Sequence, residues 1–148
     1  MIKYVHTNII AVDWKKIAQF YINVFDCKFV PPERDITGEW ISEGVGIADA
    51  HLHGCHLRLP GSDINGPTLE IYTYNSTTPE PFMTANKKGL RHIAFLTDDV
   101  NSLVEKVLQN GGREVGEIVS HEVEGVGILT FTYVADPEGN IIEIQKWD

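Results

Sequence analysis

The sequence predicts an α+β fold in which two tandem βαβββ modules each form a curved, barrel-like mixed sheet. The first observation is a repeat: His6 lies seven residues before Asp13, and His92 lies seven before Asp99, so both residues are offset by 86 between the copies. The second is that an amphipathic helical stretch follows each aspartate and strand-like segments follow each helix. At 148 residues the chain has the size of a single domain, 1–148. The repeat indicates that this domain is built from two copies of one unit.

The first module is predicted to span residues 1–74. Asp13 is a good N-cap, and apolar side chains after it fall at helical spacing on one face. A short strand after this helix is expected to end at Pro31-Pro32, because proline cannot donate to a sheet ladder. The predicted elements are, in order, strand 2–12, helix 14–25, strand 28–30, a strand around Trp40, and strands 53–59 and 68–74.

The second module is predicted to span residues 89–148, after a polar linker at 75–88 that has no periodicity. Asp99 caps its helix, and Gly111-Gly112 end it. The predicted elements are strand 89–97, helix 100–110, and strands 114–119, 128–134 and 140–147. The two modules therefore share the same order of elements.

Charge and composition exclude several classes of partner. A net charge of −9 and a pI near 5.0 argue against nucleic acid or an anionic membrane surface. The net charge does not exclude a small anionic substrate, because binding such a substrate needs only a local basic group. No apolar run approaches the roughly 18 residues needed to span a bilayer, and no signal-peptide pattern precedes the first strand. Cys27 and Cys55 are expected to be free thiols, and a cytoplasmic location is predicted.

Four side chains of the repeat have the composition of a metal site. Each module carries a histidine in its first strand and a glutamate in its last strand: His6 with Glu70, and His92 with Glu143. If these strands lie side by side, one histidine and one glutamate from each module are expected to approach a common centre. Imidazole and carboxylate ligands without thiolate suit a borderline or hard divalent ion, such as Ni, Co, Zn, Mn or Fe(II).

Such a centre is suited to proton transfer next to a carbonyl group. Four protein ligands leave about two positions of an octahedral ion open, which is enough for two neighbouring oxygens of one substrate. A divalent ion stabilises the enediolate that forms when a proton leaves the carbon beside the carbonyl. Glu143 and Glu70 are the candidates for the base that moves this proton.

Simpler interpretations exist for the same residue types. A lone histidine in an apolar strand is more often a core or surface residue than a ligand, and Glu70 could be a cross-strand charge partner. His51, His53 and His56 are interpreted as part of a surface strand rather than a second metal site, because no carboxylate or cysteine is arranged with them. Cys55 and His56 are adjacent on a predicted strand, so they are expected to point to opposite faces.

Five segments match a known family. They are HTNIIAVD at 6–13, FYINVFD at 20–26, LEI at 69–71, RHIAF at 91–95 and DPEGNIIE at 136–143. Through them the chain resembles, over nearly its whole length, the vicinal oxygen chelate superfamily, also called the glyoxalase and bleomycin-resistance fold. The resemblance implies paired βαβββ modules, a divalent metal and often a homodimer. It places the metal ligands on His6, Glu70, His92 and Glu143, in the order found in glyoxalase I.

For glyoxalase I, the resemblance implies isomerisation of the hemithioacetal of methylglyoxal and a thiol to a lactoyl thioester, with Ni, Co or Zn favoured over Mn or Fe. Glu70 and Glu143 would then transfer the proton. Two positions depart from the family pattern. Asp26 stands where the family usually has glycine. Ile10 stands where bacterial glyoxalase I usually carries an arginine that helps to hold glutathione, so the thiol stays open.

Three alternatives of the same fold are retained. An acyl-thioester epimerase would use the same chemistry at a metal. A ring-cleaving dioxygenase with Fe(II) usually needs two histidines and one carboxylate, so Glu70 as a fourth ligand disfavours it. A metal-free binding protein for a small molecule, such as an antibiotic, needs no ligand set at all, and the four candidate ligands argue against it.

Overall fold

The computed structural model describes residues 1–79 and 83–148, which divide after Pro79 into two compact units. Unit 1 contains the predicted first module and unit 2 the predicted second module. The predicted linker at 75–88 includes residues 80–82, which lie outside the described residues. None of the helices in the described ranges has the length and hydropathy that a membrane-spanning helix requires.

Unit 1 is a four-stranded mixed sheet with a helix packed on one face. Its elements are β1 (His6–Ile10), α1 (Trp14–Phe25), β2 (Lys28–Ile36), α2 (Glu39–Val45), β3 (Leu52–Arg58) and β4 (Thr68–Tyr74). The strands lie in the order β1-β4-β3-β2, with β1 parallel to β4 and the other pairs antiparallel. The first and last strands of the unit are therefore neighbours.

Helix α1 determines which face of this sheet is covered. The Asp13 side chain accepts hydrogen bonds from the N–H groups of the first turn, and the apolar stripe of the helix is buried. This stripe contacts β3 and β4, where Leu69 and Ile71 are fully buried. Each such side chain stabilises the fold by about 1.5–3 kcal/mol. Because side chains alternate along a strand, Glu70 faces away from α1.

Two predictions for the middle of unit 1 are wrong. The strand expected to end at Pro31-Pro32 continues to Ile36, with a shift of register between Val30 and Arg34. It runs through the prolines because β2 is an edge strand, where a missing N–H interrupts no ladder on its outer side. The strand expected around Trp40 is instead the short helix α2, and the indole side chain is exposed.

The described residues of unit 2 form a five-stranded mixed sheet and one helix. Its elements are β5 (His92–Leu96), α3 (Val100–Gln109), β6 (Arg113–Glu114), β7 (Val119–Val123), β8 (Gly127–Ala135) and β9 (Ile141–Trp147). The order is β5-β9-β8-β6, β7 also pairs with β8, and β5 is parallel to β9. The segment predicted as one strand, 114–119, is split between the end of β6 and the start of β7. Val115 and Gly116 both donate to the Tyr133 carbonyl at 3.0 Å, and such an extra residue interrupts a ladder.

The turn before β9 is held by a buried carboxylate. Asp136 is 1% exposed, and its Oδ1 accepts hydrogen bonds from the N–H groups of Glu138 at 2.9 Å and Asn140 at 3.0 Å. Its Oδ2 accepts from Asn140 Nδ2 at 2.8 Å. Gly139 supplies a φ of +94°, which L side chains rarely adopt. The turn fixes where β9 begins, and hence the register that places Glu143 beside β5.

Candidate functional site

Strands β1 and β4 bring His6 and Glu70 together on the sheet face that points away from α1. In the parallel register, His6 lies opposite Thr68 and Asn8 lies opposite Glu70, so these side chains share one face. His6 Nε2 is 3.5 Å from Glu70 Oε2. The imidazole is 40% exposed and the carboxylate side chain 15% exposed, so solvent and small molecules can reach the pair.

Two further residues orient the Glu70 carboxylate. Asn8 Nδ2 donates a hydrogen bond to Glu70 Oε2 at 2.8 Å. His56 lies opposite Glu70 in the β3–β4 ladder, and its Nε2 is 3.2 Å from Glu70 Oε1. The other ring nitrogen of His56 is 2.9 Å from Thr68 Oγ1. Both carboxylate oxygens are therefore engaged, and the side chain is held in one orientation.

Burial and neighbouring charges shift the pKa values of two groups around Glu70, His56 and Tyr72. Burial lowers the pKa of His56. The negative charge of Glu70 raises this pKa, and the positive charges of Arg34 and His6 lower it further. The imidazole is therefore kept neutral over more of the pH range, which is the form that binds metals. Burial, followed by the negative charge of Glu70, raises the pKa of Tyr72 to about 12, so its phenol stays protonated at neutral pH.

The equivalent pair of unit 2 is His92 and Glu143. In the parallel register of β5 and β9, Ala94 lies opposite Glu143, and His92 lies two residues earlier on the same face. His92 Nε2 is 3.1 Å from Glu143 Oε2, with 34% and 16% of the two side chains exposed. Tyr133 lies opposite Glu143 on β8, and its ring centroid is 4.9 Å from that of His92. Burial and the charge of Glu143 raise the pKa of this tyrosine.

The structure thus brings together the histidine and glutamate that the sequence predicted within each unit. That the two pairs share one ion stays a prediction. The donor set fits a divalent ion, because two ligands about 2.1 Å from a metal and at right angles lie about 3 Å apart. The separations of 3.5 Å in unit 1 and 3.1 Å in unit 2 are close to that value.

Three residues on the Glu70 face were not predicted from the sequence: Asn8, His56 and Arg34. Alternation along β1 and β3 would have placed Asn8 and His56 on a chemically useful face, but the register against Glu70 is a long-range property. Arg34 lies opposite Gly54 in a strand that was predicted to end earlier, so its face had no assignment.

The interpretation that no carboxylate accompanies His51 and His53 is wrong. Asp35 Oδ1 lies 2.6 Å from His51 Nε2 and 3.7 Å from His53 Nδ1. His56 does not belong to this cluster, because it points to the opposite sheet face and contacts Glu70. Cys55 is buried and free, and burial raises the pKa of its thiol to about 11, which makes it a poor nucleophile.

Comparison with known proteins defines the class of protein. The family model of the Glyoxalase/Bleomycin resistance protein/Dioxygenase superfamily matches residues 3–144, and the chain belongs to this superfamily. A search of curated protein sequences finds no match.

Solved structures of this superfamily share the fold. A glyoxalase family protein from Bacillus cereus is 17% identical with a TM-score of 0.76, and the match covers 99% of this chain and 93% of that one. A superfamily protein from Alicyclobacillus acidocaldarius is 16% identical with a TM-score of 0.56, covering 98% and 91%. A glyoxalase I variant from Zea mays is 20% identical with a TM-score of 0.65; the match covers 97% of this chain but 44% of the maize protein. At these identities, the similarity establishes the fold alone.

Proposed function

We propose that the chain is a divalent-metal-dependent lyase or isomerase of the glyoxalase type, acting on a small α-oxygenated carbonyl compound. The main support is the repeated contact between a histidine of the first strand and a glutamate of the last strand, at 3.5 Å in unit 1 and 3.1 Å in unit 2. Membership of the superfamily supports this proposal, because the superfamily contains glyoxalases.

Four side chains would hold the ion: His6, Glu70, His92 and Glu143. They would come from the two units of one chain or from two chains of a homodimer, and either arrangement supplies the same set. Nitrogen and oxygen donors favour Ni, Co or Zn, with Mn and Fe as alternatives. When bound, the ion would act as a Lewis acid and stabilise the negative charge that develops as a proton leaves the neighbouring carbon.

The two glutamates are proposed to have different roles. Glu70 is held through both oxygens by Asn8 and His56, which suits a fixed ligand. The position equivalent to Asn8 in unit 2 is Ala94, whose side chain cannot form a hydrogen bond with Glu143. Glu143 therefore has more freedom, and its Oε removes the carbon-bound proton beside the carbonyl and returns it to the adjacent carbon, while the hydroxyl proton of the substrate passes to the former carbonyl oxygen. Atoms are conserved in this shift, so the reaction is an isomerisation.

Substituting Glu143→Gln tests the proposal. The substitution keeps the shape of the side chain but removes the base, so turnover of methylglyoxal hemithioacetals should fall by roughly 10²–10⁴-fold. The assay would be run with several thiols and with added Ni, Co or Zn. Circular dichroism and thermal unfolding should change little, because the side chain is only partly buried.

Glu105→Gln is the matched control, since Glu105 is an exposed carboxylate on α3 outside the site. It should keep full activity. Full activity in Glu143→Gln would refute the proton-transfer role. Absence of wild-type turnover with every thiol and metal, together with absence of metal uptake, would favour a binding protein instead.

A further inference from the structure

We propose that Asp35, His51 and His53 form a second divalent-metal site, on the face of the unit 1 sheet opposite to His6 and Glu70. One ligand atom of each of the three residues lies within 4.8 Å of the others. None of them takes part in the proposed lyase or isomerase site, so this second site stands or falls independently of that function.

The cluster follows from the pairing of β2 with β3. Asp35 lies directly opposite His53 in the antiparallel register, and His51 precedes His53 by two residues, so it shares the same face. Further along this face, Cys55 and Leu57 are fully buried, on the side contacted by α1. The three polar side chains therefore lie on the same sheet face as α1, at the end of the strands where that face is exposed to solvent.

The distances are compatible with tetrahedral coordination. Ligands about 2.05 Å from a zinc ion are about 3.3 Å apart in a tetrahedral site. Asp35 Oδ1 is 2.6 Å from His51 Nε2 and 3.7 Å from His53 Nδ1, values that lie on either side of that spacing. The two imidazole centroids are 4.2 Å apart. Because all three side chains are at least partly exposed, rotation of the side chains can adjust these distances.

The backbone of His51 is fixed without a metal. Its N–H donates to Asn75 Oδ1 at 3.1 Å, and its carbonyl accepts from the Asn75 N–H at 2.9 Å. Asn75 Nδ2 also donates to the Asp49 carbonyl at 2.9 Å. A ligand whose backbone is held in this way loses less conformational freedom on binding, which favours affinity.

The donor set and exposure indicate the kind of ion. Two imidazoles and one carboxylate suit Zn²⁺, Co²⁺ or Ni²⁺ rather than Mg²⁺ or Ca²⁺, which prefer oxygen ligands. The side chains of Asp35, His51 and His53 are 68%, 37% and 47% exposed, so water can fill the remaining coordination positions. This is the arrangement of an open site, in contrast to closed structural zinc sites, which usually have four protein ligands.

Zinc titration by isothermal calorimetry tests this site. In the variant His6→Ala/His92→Ala, which lacks two ligands of the proposed catalytic ion, we expect one Zn²⁺ to bind per chain. Adding His53→Ala or Asp35→Asn should weaken that binding by about tenfold or more, since even residues that only support a ligand change metal affinity by 10–100-fold. His121→Ala, which removes an exposed histidine on β7, is the control and should leave the affinity unchanged.

Zinc binding that is insensitive to both His53→Ala and Asp35→Asn would overturn the second site, and so would the absence of binding in the His6→Ala/His92→Ala variant. If that variant does not fold, the wild-type chain can be titrated and followed by NMR. The imidazole signals of His51 and His53 should then shift with Zn²⁺, and unchanged signals would equally overturn the site. If only the proposed lyase or isomerase function is wrong, Zn²⁺ should still shift the imidazole signals of His51 and His53.

Discussion

At the scale of single residues, Glu70 and Glu143 show how an otherwise apolar strand tolerates a carboxylate. Each keeps about one-sixth of its side chain exposed and contacts the imidazole of the neighbouring parallel strand. An unpaired buried carboxylate is strongly unfavourable, whereas a paired and partly hydrated one is not. The surroundings differ, since His56 faces Glu70 and Tyr133 faces Glu143. This difference underlies the separate roles proposed for the two acids.

Asp26 provides a prediction about stability. It ends α1 with a φ of +54°, in the left-handed region that favours glycine. Asp26→Gly should therefore stabilise the fold by about 0.5–1 kcal/mol, because the strain of a side chain in that region is removed. Urea unfolding would measure this. Asp98→Gly, at an exposed position without positive φ, is the control and should not raise the free energy of unfolding. A lower free energy of unfolding in Asp26→Gly would show that Asp26 is not strained.

Asp136 provides a prediction about pH dependence. Burial raises the pKa of Asp136, and the hydrogen bonds from Asn140 and Glu138 only partly oppose this effect. The folded state thus keeps the proton to higher pH than the unfolded state. This contribution to stability is fully present below the ordinary value of 3.8 and is lost as the pH rises through the folded pKa.

The free energy of unfolding of wild type and Asp136→Asn should be compared by urea titration on both sides of pH 3.8. The advantage of the wild type should be largest at low pH and shrink as the pH rises, because the amide does not titrate. A gap that widens with increasing pH would mean that the hydrogen bonds to the ionised carboxylate outweigh its burial.

At the scale of elements, the close approach of β3 and β4 depends on a glycine. A Cβ at Gly54 would lie 2.0 Å from the Ile71 carbonyl oxygen and 2.1 Å from Tyr72 Cδ1. Gly54→Ala should therefore destabilise the fold by about 3 kcal/mol, the upper end of typical overpacking penalties. Gly44 lies in α2, and a Cβ added there would meet no atom from outside its own stretch of helix within 4 Å, so Gly44→Ala should instead stabilise the fold by about 0.5–1 kcal/mol. Equal effects of the two substitutions in chemical denaturation would contradict this packing.

Elements with strong local signals were predictable from the sequence. Helix α1 has a capping aspartate and an apolar stripe, and it begins and ends where predicted. Strand β2 was not predictable in full, because its continuation past the double proline depends on lying at the sheet edge. The Asp35–His51–His53 cluster was missed for the same reason, since it needs the register of β2 against β3.

At the scale of the whole molecule, the repeat was the most informative feature of the sequence. It predicted that the first and last strands of each unit are neighbours, and this is confirmed in both sheets. From that topology, the contacts of His6 with Glu70 and of His92 with Glu143 follow. The repeat could not predict which residue lies opposite each glutamate on the neighbouring strand, His56 opposite Glu70 and Tyr133 opposite Glu143, because this pairing depends on the register of the sheet.

We propose that both units supply ligands to one ion, and metal content tests this proposal most directly. The measurement is equilibrium dialysis against Ni²⁺ in a His51→Ala/His53→Ala background, which removes the second proposed site. We predict one Ni²⁺ per chain, and a loss of affinity of about tenfold or more when either His6 or His92 is replaced by alanine. Uptake that depends on His6 but not on His92, or no uptake at all, would contradict the claim.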